Sequence, residues 1–308
     1  TMREYRFLQV DVFTDTPCGG NPLAVFPDAQ GLTGEQMQHL AREMNLSETT
    51  FVLPPEAPGA DFKVRIFTPA KEVPFAGHPV VGTHWTLAHL GRVKLEEPVT
   101  RVRFELGVGV LPADLKVSGD EVERVVMTQG EPTFHAVLED LEDLTLGLGL
   151  APEAILDTDL PVQVVSTGLP QMMVPVRSLH EVRRLDAAAL NVPALNRACR
   201  SMETECVMVF ARETERAEAT VHVRMFAPLL GVPEDPATGS ANGALGAYLV
   251  HHGAVPLAPP TTKIVSEQGA EMGRPSTVYV EVDHDESGIS AVRVGGAVVP
   301  MLEGVARL

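Results

Sequence analysis

The sequence repeats itself, and this repeat restricts the possible folds more than any other feature. Phe62–Pro69 resembles Val221–Pro228 at an offset of 159 residues (221 − 62). Two further pairs follow in the same order, at offsets of 157 (204 − 47) and 162 (267 − 105): Ser47–Val52 with Thr204–Val209, and the Glu-x-Gly at Glu105 with that at Glu267. Similarity in register along the chain indicates two copies of one structural unit.

The repeat also suggests which residues are equivalent near two unusual loops. Val73-Pro74 falls on Val232-Pro233 without a gap, again at an offset of 159 (232 − 73). Continued at this offset, Ala76 corresponds to Asp235 (235 − 76). Because ligand sites often lie between structural units, the loops 76–79 and 235–240 are candidates for parts of one active site.

Each copy contains a helix that is apolar or small on nearly all sides, over residues 80–90 and 238–250. Such a helix must be surrounded by other structure. Segments of alternating apolar and polar residues, such as 63–67 and 277–282, predict strands that can wrap it. We therefore expect an α+β fold of two pseudo-symmetric halves, each a curved, mostly antiparallel sheet or barrel around a central apolar helix.

The first copy also predicts an amphipathic helix on the outside of its sheet. Thr33 and Gln36 have the spacing of a capping box. The apolar residues that follow have the i, i+3, i+4, i+7 spacing of a helix with one buried face: Met37, Leu40, Ala41 and Met44.

Composition excludes several classes of function. The chain has 308 residues and a formal charge of −17, which repels nucleic acid. It has no apolar run long enough to span a membrane, no zinc-ligand spacing and no glycine-rich phosphate loop. Cys18, Cys199 and Cys206 are interpreted as free thiols. We expect a cytoplasmic protein with no metal and no cofactor.

The two loops carry groups suited to binding an anion and handling protons. A buried helix start exposes backbone amides and the positive end of the helix dipole, so two facing starts would hold a small carboxylate or enolate. His78 and Asp235 lie in these loops. Each alone is better explained as a core histidine or a turn residue, but their occurrence in corresponding loops of the two copies reverses this preference and favours a functional role.

Glu48 is the third candidate. It follows the amphipathic helix and precedes the apolar segment Phe51–Leu53. Burial between apolar elements would raise the pKa of its carboxyl group and suit it to proton transfer. Glu48 could equally accept hydrogen bonds from backbone amides at a turn, and spacing alone does not separate these two interpretations.

Six motifs along nearly the whole chain resemble the phenazine-biosynthesis PhzF-like isomerase family. They are GGNPLAVF (19–26), NLSETTFV (45–52), RIFTPAKEVPFAGHPVVGT (65–83), STGLPQMMVPV (166–176), EDPATGSANGALGAYL (234–249) and QGAEMGRPS (268–276). The resemblance implies a diaminopimelate epimerase-like fold with the active site in the cleft between the halves. It also implies a cofactor-free isomerase that is often a homodimer.

The resemblance assigns roles to individual residues. It implies that Glu48 moves a proton between carbons of a substrate similar to trans-2,3-dihydro-3-hydroxyanthranilate, assisted by His78 and Asp235. It implies that Gly77, Gly239 and Ser240 bind this small carboxylate. The related epimerases use two cysteines, and the resemblance implies that these would fall at Ala76 and Asp235, a pairing that the offset of 159 supports (235 − 76). Racemisation by two thiols is therefore excluded.

We expect the halves at residues 1–120 and 121–308, and it stays open whether the last strand, near 292–308, pairs onto the first half. Other functions also stay open: epimerisation of a small amino or hydroxy acid, or binding of a small carboxylate without turnover. Hydrolysis by Ser240 is disfavoured because no His-Asp relay is evident.

Overall fold

The computed structural model of the chain describes residues 3–308. The chain divides into two compact units. Unit 1 consists of the residues before Thr128 together with Gly295–Leu308, and unit 2 is Thr128–Val294. Unit 1 thus extends past residue 120 and includes the C-terminal strand.

Within the described residues, unit 1 is built from eight complete strands and two helices, and the strand β8 (Glu121–Thr128) ends at its boundary. Its other elements are β1 (Glu4–Val12), β2 (Asn21–Phe26), α1 (Gly34–Met44), β3 (Thr49–Leu53), β4 (Phe62–Phe67), β5 (Glu72–Val73), α2 (Gly77–His89), β6 (Val99–Leu106), β7 (Gly109–Ser118) and, from the end of the chain, β18 (Val298–Arg307).

Unit 2 has a similar sequence of elements with three additional helices. They are β9 (Thr133–Val137), α3 (Glu142–Leu148), α4 (Glu153–Leu156), β10 (Gln163–Ser166), β11 (Pro170–Pro175), α5 (Leu179–Arg183), α6 (Val192–Ser201), β12 (Val207–Ala211), β13 (Val221–Ala227), β14 (Val232–Asp235), α7 (Gly239–His251), β15 (Thr261–Gln268), β16 (Ser276–Asp285) and β17 (Gly288–Gly296), which ends just past its boundary. Seven α-helices within residues 3–308 and mixed strand directions give the expected α+β class.

Strand pairing repeats from unit to unit. In unit 1, β1 and β2 are antiparallel, β2 and β3 parallel, β3 and β4 antiparallel, β4 and β6 parallel, and β6 and β7 antiparallel. In unit 2, β10 to β13, β15 and β16 pair in the same order and directions. The first strand of each series gains one more antiparallel partner, β18 or β9. The duplication is therefore present in the topology.

The predicted residue equivalence is wrong after β13. Val73 pairs with Ile66 in unit 1, whereas Asp235 pairs with Met225 in unit 2. Since Met225 corresponds to Ile66 (225 − 66 = 159), the offset rises to 162 at Asp235 (235 − 73). The three additional residues lie in the turn containing the 3-10 helix Pro228–Leu230.

Close packing independently supports the offset of 162. A Cβ atom added to Gly107 would lie 2.7 Å from Pro74 Cα, and one added to Gly269 would lie 2.5 Å from the carbonyl oxygen of Pro236. These glycines and prolines are each separated by 162 residues (269 − 107 and 236 − 74). Ala76 therefore corresponds to Thr238, and not to Asp235.

Helices α2 and α7 are the central helices, as their apolar composition predicts. Helix α2 packs against β1 and β2, and α7 packs against β16 and β10. Glycines permit this approach: a Cβ atom at Gly82 would lie 2.6 Å from Leu23 Cδ2, and one at Gly246 would lie 2.6 Å from Val280 Cγ1. The cost in helix propensity is thus offset by close contact with the sheet.

Helix α1 covers the outside of its sheet. The capping box is confirmed, because the Thr33 hydroxyl accepts a hydrogen bond from the Gln36 amide and the Gln36 side chain accepts one from the Thr33 amide. The helix buries Met37, Leu40 and Ala41 and ends at Asn45 in the left-handed conformation. Among the described residues, no helix is both long and apolar enough to span a bilayer.

Candidate active site

Glu48 lies at the point where the chain leaves α1 and enters β3. Helix α1 ends at Asn45, which adopts the left-handed conformation. The connection runs from Leu46 to Glu48, and β3 begins at Thr49. Next to Glu48, the Ser47 hydroxyl lies 3.3 Å from Oδ1 of Asn21, the first residue of β2, to which it donates a hydrogen bond. Because β2 and β3 are parallel neighbours, this bond holds the segment before β3 next to the start of β2.

The start of α2 brings His78 to Glu48. Nε2 of His78 lies 3.5 Å from Oε2 of Glu48, and the two side chains are only 8% and 19% exposed. Oε2 of Glu48 is buried and accepts no hydrogen bond from any residue in 3–308. Burial raises the pKa of Glu48 above its ordinary value, opposed by a weaker effect of the Ser47 hydroxyl. This environment is the one that the proton-transfer interpretation predicts.

The starts of the two central helices have no side-chain cap. Ala76 precedes α2 and Thr238 precedes α7, and neither side chain accepts a hydrogen bond from the first turn. Among the other helices, α1, α5 and α6 are capped by Thr33, Ser178 and Asn191, whereas the short helices α3 and α4 have no side-chain cap. The first amides of α2 and α7 thus retain the anion-binding character of an uncapped helix start.

In unit 2, the Thr238 hydroxyl bonds to Asp235 instead of capping α7. It donates a short hydrogen bond to Oδ2 of Asp235. Gly239 is buried and Ser240 half-buried in the first turn of the helix. The structure therefore brings Asp235, Gly239 and Ser240 together within one segment of unit 2, and Glu48, Gly77 and His78 together within unit 1.

An ion pair closes the hairpin before each central helix. Both pairs are bidentate, with every N–O distance 2.7 Å: Arg65 with Glu72, and Arg224 with Glu234. The arginines are separated by 159 residues (224 − 65) and the glutamates by 162 (234 − 72). The pair of unit 1 lies at the surface, whereas in unit 2 α5 covers Arg224, which also donates to the Val182 and Leu185 carbonyls.

His222 forms a cluster with two glutamates that was not predicted from the sequence. Nδ1 of His222 lies 2.9 Å from Glu267, and Nε2 lies 2.7 Å from Glu271. Burial alone would lower the pKa of His222, but the two carboxylates raise it above its ordinary value. Glu215, His222 and Glu271 each have a ligand atom within 4.8 Å of the other two, a spacing that could hold a metal ion. Both nitrogens are already bonded to carboxylates, which favours a protonated imidazole in an ion-pair cluster.

Gln268 is a further residue with no predicted role, although it begins the QGAEMGRPS motif. Its side chain is buried at the end of β15 and contacts the start of α7. No sequence pattern marked this role, because only the structure shows that Gln268 occupies a buried position of β15, where an amide side chain requires polar partners.

Residues 10–304 match the family model described as phenazine biosynthesis-like protein. The trans-2,3-dihydro-3-hydroxyanthranilate isomerase of Pseudomonas aeruginosa is 36% identical over 304 residues, which cover 99% of this chain and 100% of that protein.

Solved structures show the same fold. A PhzF-family phenazine biosynthesis protein of Bacillus anthracis superposes with a TM-score of 0.88 at 28% identity, over 99% of both chains. A hydroxyproline epimerase of Agrobacterium vitis superposes with a TM-score of 0.66 at 15% identity, over 99% of this chain and 92% of that chain, and so shares the fold. By its family match, its relatives and its fold, the chain belongs to the phenazine biosynthesis-like, or PhzF-like, family of isomerases.

Proposed function

We propose that this isomerase moves a proton between two carbons of a small carboxylate similar to trans-2,3-dihydro-3-hydroxyanthranilate, without a cofactor. The observation that carries the proposal is the buried carboxyl group of Glu48 beside Nε2 of His78. The substrate class is supported by the relative of that activity at 36% identity.

The raised pKa of Glu48 suits both halves of such a reaction. As a carboxylate, Glu48 takes a proton from one carbon, and the electron pair of that C–H bond enters the π system of the substrate. As a carboxylic acid, it returns the proton to another carbon, and the double bonds shift. No atom is gained or lost, and Glu48 ends in its original state.

The other predicted site residues bind the substrate and support the proton transfer. His78 is placed to donate to or accept from Glu48 during the transfer, and the Gly77 amide at the uncapped start of α2 binds an anionic oxygen. By family resemblance and chemistry, Gly239 and Ser240 bind substrate by amide and hydroxyl groups, and Asp235 binds substrate and assists proton transfer.

The test is turnover of trans-2,3-dihydro-3-hydroxyanthranilate in D₂O, followed by NMR. Wild-type protein should give an isomer, with solvent deuterium at the newly protonated carbon to the extent that Glu48 exchanges its proton. Glu48→Gln keeps the shape of the side chain but removes the base, so turnover should fall by at least about 100-fold. Glu43→Gln, at an exposed position of α1, is the matched control and should retain the wild-type rate.

Two results would overturn the proposal. Turnover by Glu48→Gln at the wild-type rate would exclude Glu48 as the base. A wild-type protein that leaves this compound unchanged, while exchanging the α-proton of a small amino or hydroxy acid, would assign it to epimerisation instead.

A further inference from the structure

We propose that Gln268 is a positioning residue, which holds Asp235 and the start of α7 in the geometry needed for the isomerisation. The proposal rests on the function proposed above, because it gives Gln268 a role in that site. The side chain of Gln268 is 1% exposed. It makes four hydrogen bonds, all to the segment from Asp235 to Asn242.

The partners determine the orientation of the Gln268 amide. The backbone N–H of Thr238 can only donate, and it lies 3.1 Å from Oε1. The carbonyl oxygen of Asp235 can only accept, and it lies 2.8 Å from Nε2. Oε1 also accepts from Nδ2 of Asn242 at 2.9 Å. Because both ends have obligatory partners, the amide cannot be reversed without losing these bonds.

This orientation determines the direction of the next hydrogen bond. Nε2 of Gln268 also lies 3.1 Å from Oγ1 of Thr238, and since Nε2 is only a donor, the hydroxyl must accept from it. The hydroxyl proton is then directed to Oδ2 of Asp235. By orienting the Thr238 hydroxyl, Gln268 therefore determines that Oδ2 of Asp235 accepts a hydrogen bond from it.

Unit 1 shows that these polar groups are not needed to build the helix start. At the offset of 162, the counterparts of Asp235, Thr238, Asn242 and Gln268 are all apolar: Val73, Ala76, Val80 and Leu106. Both helices nevertheless begin at a glycine after an extended residue and run for 13 residues. Since unit 1 forms the same helix start without these polar side chains, we assign the hydrogen-bond network of unit 2 to the site and not to the fold.

The motif around Gln268 also holds the loop before α7. Gly269 adopts φ = 80° and approaches the carbonyl of Pro236 so closely that a Cβ atom would lie 2.5 Å from its oxygen. The Ser276 hydroxyl donates to the same carbonyl at 3.0 Å. Gln268 thus acts from a segment that already contacts the Asp235 loop at its backbone.

The test replaces each of two buried glutamines of unit 2 by methionine, which removes the hydrogen bonds of its side chain. Gln268→Met removes the four bonds described above. Gln163→Met is the control, because it removes two partly buried hydrogen bonds outside the QGAEMGRPS motif, to the His135 carbonyl and to Nε2 of His252. Thr238→Val and Thr238→Ser separate loss of the hydroxyl from loss of size.

Two readouts are needed. For Gln268→Met and Thr238→Val, kcat with the dihydro-hydroxyanthranilate should fall roughly 10- to 100-fold while KM changes less, as expected for a misplaced group. Thr238→Ser retains the hydroxyl group and should therefore keep most of the wild-type kcat. Amide hydrogen exchange of the peptide spanning 235–242 should accelerate by about 10-fold in Gln268→Met but stay unchanged in Gln163→Met.

The outcomes distinguish failure of this proposal from failure of the proposed function. Equal exchange in the two Gln→Met variants, or wild-type kcat in Thr238→Val, would overturn the positioning role. A wild-type protein with no turnover would overturn the isomerisation of this substrate, while accelerated exchange in Gln268→Met would still support the structural part of the assignment.

Discussion

Nε2 of His78 lies 3.5 Å from Oε2 of Glu48, in a region where both side chains are largely shielded from water. The pair is produced by two separate features of unit 1. The chain enters β3 directly after Glu48, and the uncapped start of α2 places His78 in its first turn. A proton on either group is therefore within reach of the other after a small movement.

We expect His78→Gln to lower kcat by roughly 10- to 100-fold, because glutamine can hydrogen-bond to Glu48 but cannot exchange a proton with it. The measurement is steady-state turnover, with His39→Gln, at an exposed position on α1, as the control. Wild-type kcat in His78→Gln would show that the imidazole takes no part in proton transfer.

Glu48→Gln should make the protein more stable at neutral pH. The folded-state pKa of Glu48 lies above 4.5, so the folded protein holds this proton more tightly than the unfolded chain does. Wild-type stability therefore falls as pH rises from about 4.5 through the folded-state pKa. The variant should be more stable than the wild type above that range and equally stable below it. Urea unfolding at pH 4 and pH 8 tests this, and an equal difference at both values would contradict it.

The duplicated Arg-Glu pairs should differ in their effect on stability. Glu234→Ala leaves Arg224, which is 4% exposed, without its carboxylate and should cost about 3–5 kcal/mol. Glu72→Ala at the equivalent surface pair should cost less than about 1 kcal/mol. The free energies of unfolding of the two variants provide the comparison. Equal losses would mean that coverage by α5 does not matter.

Gly82→Ala should destabilise the protein by about 1–3 kcal/mol, although alanine favours helices. The new methyl group would lie 2.6 Å from Leu23 Cδ2 and 2.7 Å from Val12 Cγ2, inside the packed sheet. In the control Gly34→Ala, the nearest atom is the mobile end of Arg65 at 3.2 Å, and stability should change by less than about 1 kcal/mol. Thermal unfolding distinguishes the two, and a neutral Gly82→Ala would contradict close packing of α2.

His84 should make the protein sensitive to acid. Burial lowers the pKa of His84 from 6.5 to about 4, and the ring is stacked on Phe104. The unfolded chain binds this proton first, so wild-type stability should fall as pH drops from 6.5 to about 4. His84→Gln should reduce that slope by up to about 1.4 kcal/mol per pH unit. An unchanged slope would show that His84 does not remain neutral in the folded protein.

Several elements could be predicted from local sequence because their signals are local. The capping box of Thr33 and Gln36 and the buried face of α1 follow from spacing within one helix. The all-round apolar composition of α2 and α7 required that both be enclosed. Similarity between the two copies revealed the duplication, since equivalent strands retain similar residues.

The residue equivalence after β4 and β13 could not be predicted in the same way, because the turn that follows these strands differs in length between the two units. The match of Val73-Pro74 with Val232-Pro233 concealed three additional residues before it, because two short apolar dipeptides can agree by chance. Strand pairing and the glycine-proline contacts resolve this and place Thr238 opposite Ala76. Neither position holds a cysteine, so the exclusion of two-thiol chemistry stands.

The sequence by itself determined the repeated α+β fold, the family and the residue types available for proton transfer, because these depend on patterns along the chain. Only the tertiary structure decided that Glu48 meets His78 in a shielded environment and that Gln268 orients Thr238 toward Asp235. Burial and hydrogen-bond direction depend on which distant segments meet, and Gln268 lies 33 residues (268 − 235) from the aspartate it helps to hold.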